Sequence, residues 1–125
     1  MATATGGLQT YGSFVFALSN NTGAVSEVFN FTLPRAFVVT NVIAVALVAQ
    51  AGATVTVGKG ASAFTGALAV AVLDTPVATL PTNTTNATFA SGEQLRFTVA
   101  TAGARCRVVV EGYFTPVADA VTVTV

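Results

Sequence analysis

These 125 residues include no histidine, no tryptophan, one cysteine and one methionine. Each absence closes a route. Without an imidazole, a serine, threonine or cysteine nucleophile lacks its usual base. A metal site would have to rest on carboxylates, and neither metal nor other cofactor is expected. A lone cysteine, Cys106, excludes an internal disulfide. Without tryptophan, the best platform for stacking on a sugar is missing. Charge is equally scarce: five Lys and Arg against five Asp and Glu make 8% of the chain, with zero net charge, where about 25% charged is usual. Neither long-range attraction to nucleic acid nor adhesion to anionic lipid is implied. MATATGG has no basic region followed by an apolar stretch, so no secretion signal is expected. The longest apolar run, AFVVTNVIAVALVA at 36–49, is short for a membrane helix, valine-rich and interrupted by Thr40 and Asn41. The aromatic girdles of a membrane barrel are missing as well.

What remains is 53% hydrophobic. One domain of this length buries roughly two-thirds of its unfolded surface and needs no staples. Sparse charge on so apolar a chain predicts association, with much of the surface covered by other chains. Valine, threonine, isoleucine and phenylalanine recur with period two, turn signals arrive about every ten residues, and helical stripes are absent. That pattern predicts an all-β fold, an antiparallel β-sandwich of jelly-roll-like type.

Residues 1–12 read as a flexible arm, 13–117 as the sandwich, and 118–125 as a terminal strand available to a neighbouring subunit. SFVFAL (13–18) sets Phe14, Phe16 and Leu18 on one face, and VSEVFNFTL (25–33) does the same with Phe29, Phe31 and Leu33. The strand at 37–49 looks apolar on both faces, with Phe37, Val39, Ile43, Val45 and Leu47 against Val38, Val42, Ala44, Ala46 and Val48. Two dry faces require cover from outside, so Val42, Ala44 and Ala46 are interface candidates. Residues 74–88 read as a long polar loop with a short strand at 77–80. QLRFTVA (94–100) and ARCRVVVEGYF (104–114) read as a hairpin about Ala102 and Gly103, pairing Val99 with Cys106, Phe97 with Val108 and Leu95 with Val110. The terminal ADAVTVTV alternates Val121, Val123 and Val125 with threonines, the pattern of a strand that adds to a sheet edge.

The stretch SGEQLRFTVATAGARCRVVVEGYF (91–114) is similar to the closing hairpin of small jelly-roll and β-sandwich proteins of viral and bacteriophage particles. With the Ala/Thr/Val-rich, histidine-free, low-charge composition, the chain resembles bacteriophage capsid decoration (cement) proteins. The resemblance implies a non-enzymatic virion protein on the capsid exterior, made in the host cytoplasm. It would self-associate as a trimer and bind the major capsid protein across its seams. A receptor- or carbohydrate-binding head of a fibre or pilus is the alternative.

Chemistry-bearing patterns are few. GATVTVGKG (52–60) has five residues before Gly-Lys instead of four, and glycine instead of Ser or Thr after Lys59, so it reads as a turn and not a phosphate loop. Glu27, Asp74, Glu93, Glu111 and Asp119 are all the carboxylates, and no two share a strand face at a glycosidase spacing. Glu27 shares a strand face with Val25 and Phe29 and should sit at a strand end or find an arginine, because a buried unpaired carboxylate is costly. Asn20, Asn30, Asn83 and Asn86 each begin an Asn-x-Thr sequence, a cheap match in so threonine-rich a chain. Arg96, Arg105 and Arg107 gather on the outward face of the expected hairpin, either solvated or gripping carboxylates of a neighbour.

Overall fold

The computed structural model describes residues 3–7, 10–115 and 120–124. They form twelve strands: β1 (Thr3–Gly7), β2 (Thr10–Ser19), β3 (Ser26–Thr32), β4 (Phe37–Ala46), β5 (Thr54–Lys59), β6 (Ser62–Ala63), β7 (Leu68–Ala69), β8 (Pro76–Thr79), β9 (Thr88–Phe89), β10 (Gln94–Ala100), β11 (Arg105–Phe114) and β12 (Ala120–Thr124). One sheet runs β2-β11-β4-β8, with β9 also on β4. The other runs β3-β10-β5-β6, with β7 also on β5. The ladders are antiparallel and nest: β2 with β11, β3 with β10, β4 with β8 and β5 with β6. The chain is thus a long hairpin rolled into two layers, an antiparallel β-sandwich with jelly-roll-like connectivity.

Alternation explains the core. Leu18, Val108 and Val110 on one sheet, and Val55, Val57, Leu95, Phe97 and Val99 on the other, are buried between the layers. Each such side chain contributes roughly 1.5–3 kcal/mol through burial. On the β2 and β3 side, aromatic rings join the layers: Phe16 lies 4.5 Å from Phe31 and 4.7 Å from Phe97 between ring centroids.

The hairpin expected at 94–114 does not form. β10 pairs with β3 and β5, while β11 pairs with β2 and β4. The turn between them therefore crosses from one sheet to the other. The apolar phase was legible, since Leu95, Phe97, Val99, Cys106, Val108 and Val110 are all buried, but they belong to opposing layers. Ala-Gly is a poor two-residue hairpin turn, because the favoured types need glycine or asparagine where φ is positive. Here the positive φ values fall instead on Thr101 (82°) and Gly103 (80°).

β4 is apolar on both faces, but its residues are sorted between them differently from the expectation. Glu111 pairs with Asn41 and Gly112 with Val39, which leaves Thr40 as an extra residue in a β-bulge. The bulge switches the inward phase from Phe37 and Val39 to Val42, Ala44 and Ala46. These last three are fully buried between the sheets and offer nothing to another chain. The outer face of β4 is Val38, Ile43 and Val45 instead.

β1 and β12 form a separate two-stranded sheet, with Gly7 opposite Ala120 and Thr3 opposite Thr124. The segment expected as a loose arm therefore holds a strand, and its partner is the terminal strand of the same chain. Val121 and Val123 pair with Gly6 and Ala4, while Val125 lies outside the described residues.

Candidate functional site

The outer face of the β2-β11-β4-β8 sheet is built in rows by the pairing register. Its central row is Val15, Val109, Ile43 and Ala78. Below it come Ala17, Arg107, Val45 and Pro76, then Ser19 and Arg105. Above it come Ser13, Glu111 and Asn41, then Tyr11, Tyr113 and Val38. An apolar band thus runs between two arginines on one side and one carboxylate on the other. Val15 is 62% exposed and Tyr11 74%. Glu111 is held in place, because Asn41 Nδ2 donates to its Oε1 at 3.0 Å. Among the described residues, neither Arg105 nor Arg107 has an acidic partner.

The bulge also shapes a cleft of about 370 Å³, lined by Tyr11, Ser13, Thr40, Asn41 and Glu111 with Gly12 and Gly112 at its floor. Tyr113 meets Tyr11 edge-on, with centroids 6.0 Å apart.

Of the three arginines grouped by sequence reasoning, Arg96 stands apart. It projects from the outer face of the other sheet, where its Nε donates to Asn30 Oδ1 at 2.9 Å. The separation follows from the strand crossing: outward on β10 and outward on β11 are opposite sides of the sandwich. The neighbours of Arg96 are mostly threonines and small residues, among them Thr98, Thr56 and Gly58.

Other candidates resolve as structural. Lys59 Nζ donates to the carbonyls of Thr85 (3.3 Å) and Thr88 (2.9 Å) and lies 3.5 Å from Glu93 Oε2, so it pins the loop ahead of β9. Cys106 is fully buried, and desolvation pushes its thiol up to about 11. Glu27 sits near the start of β3 opposite Val99, half-buried, with Oε2 lacking a hydrogen-bond partner. Asn20 is fully buried, its Nδ2 donating to Ala24 O (3.0 Å) and Val99 O (3.3 Å), so no glycan can attach to it in the folded chain. Asp119 lies outside the described residues.

Sequence reasoning missed one feature. β2 spans ten residues at the edge of its sheet, and among the described residues nothing pairs with its outer side. It holds no charge and no proline, the usual guards of an exposed edge. The other sheet ends beside it at β3, and Phe14, Phe16, Phe29 and Phe31 along this seam are only partly buried. The signal was available in TYGSFVFALS, where an uncharged ten-residue run alternates cleanly.

Fold and surface define a β-sandwich with an unguarded edge and an apolar outer band. No family model, no curated protein and no solved structure matches this chain.

Proposed function

We propose that the chain is a structural virion protein of the bacteriophage decoration type, which self-associates and cements neighbouring capsid subunits across their seams. The observation that carries this reading is the β2 edge: ten uncharged residues with an unpaired outer side, next to partly buried phenylalanines. Such an edge favours being covered by another polypeptide. The low charge and the jelly-roll-like connectivity agree with it, and the resemblance of the Ala/Thr/Val-rich, histidine-free composition to capsid decoration proteins supplies the virion context. The work is binding, with Arg105 and Arg107 available to carboxylates of a neighbour. The test is gradient fractionation of particles from the virus that carries this sequence. The chain should co-migrate with intact capsids in a fixed ratio to the major capsid protein, and its absence from the particle fraction would end the proposal.

A second reading, a carbohydrate-binding head, is favoured by the cleft at Tyr11. An exposed aromatic ring beside a fixed carboxylate and the Ser13 and Thr40 hydroxyls is a combination that suits a sugar. If that reading holds, saturation-transfer NMR should show transfer to a simple methyl glycoside, and Tyr11→Ala should abolish it.

A further inference from the structure

We propose that the outer face of the β2-β11-β4-β8 sheet is a two-fold interface between two copies of this chain, centred on Val109. The inference rests on the self-association in the reading above, and not on capsid binding. It replaces the expected trimer with a dimer.

Its basis is the order of side chains along one strand. β11 presents outward Arg105, Arg107, Val109, Glu111 and Tyr113 in succession. Read from the other end, the series is Tyr113, Glu111, Val109, Arg107 and Arg105, which is complementary to the first. A two-fold axis across the strands, through the Val15–Val109–Ile43 row, lays β11 antiparallel over its copy. Arg107 then meets the partner's Glu111, and Arg105 meets the partner's Tyr113, a guanidinium over a phenol ring. Val109 meets itself. In the flanking columns Ala17 faces the partner's Ser13 and Val45 faces the partner's Asn41, so no like charges oppose.

Within one chain the pair cannot close. Arg107 and Glu111 are four residues apart on a strand, roughly 13 Å at about 3.3 Å per residue. Facing sheets lie about 10 Å apart, a gap that an arginine and a glutamate together span. Asn41 already fixes the Glu111 carboxylate at 3.0 Å, so little side-chain freedom is lost when the guanidinium docks. On the outer rows of this sheet the charged residues are Arg105, Arg107 and Glu111, and the two-fold arrangement sets Arg107 and Glu111 against each other twice.

Charge reversal tests this directly by analytical ultracentrifugation and native mass spectrometry. The wild-type chain should be a dimer of 12.6 kDa subunits. Arg107→Glu alone, or Glu111→Arg alone, places like charges opposite and should weaken the dimer about a hundredfold or more. An equimolar mixture of these two single variants should form a heterodimer, because both contacts become complementary again. The double variant should likewise regain the homodimer. A wild-type monomer or trimer, or failure of the mixed variants to associate, would overturn the proposal. Should Glu111→Arg misfold through loss of the Asn41 bond, Val109→Asp serves instead. It opposes itself across the axis and must give a folded monomer, and a persistent dimer would be equally fatal. Capsid binding is read separately, so failure of one idea leaves the other standing.

Discussion

Gly112 on β11 is backed so closely against the carbonyl oxygen of Val38 that a Cβ at this position would strike it, and would crowd the Phe37 ring at 2.8 Å as well. The contact is a product of the bulge at Thr40, which shifts the register between Glu111 and Gly112. Backbone on one side and a buried phenylalanine on the other leave no room to yield. Gly112→Ala should therefore destabilise the fold by roughly 3 kcal/mol, seen as a lower urea midpoint. An alanine variant that melts with the wild type would mean that the bulge relaxes freely.

That bulge also explains what was legible in the sequence. The period-two pattern fixed the inward faces of β2, β3, β10 and β11, because each keeps one phase throughout. It missorted β4, where one extra residue splices two phases, so that Val42, Ala44 and Ala46 fall on the same inward face as Phe37 and Val39. Pattern likewise says which face is buried but not which sheet a strand joins. The inward residues Phe97 and Val108 were assigned correctly, yet their strands pair with β3 and β5 and with β2 and β4, not with each other. With that crossing unseen, Arg96 was grouped with Arg105 and Arg107, and the register rows that make the outer face self-complementary could not be drawn.

Cys106 offers a reactivity and a pH prediction. Burial raises its thiol from 9.0 to about 11. A group with a raised folded pKa contributes stability that is complete below its unfolded value and is lost as pH climbs through the folded one. Stability should fall between pH 9.0 and about 11, by up to about 1.4 kcal/mol per pH unit, and Cys106→Ala should remove that part of the slope. In the native protein at neutral pH, a thiol reagent should label it only on the timescale of unfolding. Rapid labelling without denaturant would contradict the buried position.

Glu93 acts at the acid end. Its carboxyl is held below the usual 4.5 first by the Ala90 N–H, which donates to Oε1 at 2.6 Å, and further by the Lys59 ammonium, while desolvation opposes the shift. The sign is opposite to that of Cys106: the contribution is present above pH 4.5 and is lost as pH falls through the lowered folded value. Glu93→Gln should therefore flatten the acid limb of the stability curve. An unchanged acid limb would assign that loss to other carboxylates.

Asn20 is a buried clamp. Besides its side-chain bonds to Ala24 and Val99, its backbone donates to Ala104 O at 2.8 Å and accepts from Gly103 N at 2.9 Å. Replacing the side chain with alanine removes the amide's hydrogen bond to the buried Val99 carbonyl and leaves the Ala24 carbonyl, in the exposed β2–β3 connection, to water. It also removes a buried Oδ1 that has no hydrogen-bond partner among the described residues. At about 1–3 kcal/mol for a bond lost by a buried group, partly offset by removal of the unpartnered Oδ1, Asn20→Ala should cost about 1 kcal/mol, or a fall of about 4 °C in Tm. A shift under about 2 °C would show that another donor reaches the Val99 carbonyl.

The terminal strand yields the last prediction. β12 takes its backbone partners from β1 of the same chain, and the two make a sheet of their own. Their pairing extends the nesting by one level: Thr10 opposite Phe114 is the outermost pair of the sandwich ladder, and Gly7 opposite Ala120 the innermost of the next. A two-stranded sheet by itself is marginally stable in water, whereas β11 is paired on both sides and packed on the core. The two sheets should therefore open separately. Deleting residues 118–125 should leave the Tm of the sandwich within about 3 °C of the full chain, since the lost ladder contributes little to the core. In the full chain, amides of 3–7 and 120–124 should exchange with deuterium far faster than those of β10 and β11. Slow exchange of Val121 and Val123, matching that of the core, would mean that this ribbon is locked by contacts beyond its own pairing. Truncation would then be expected to unfold the domain.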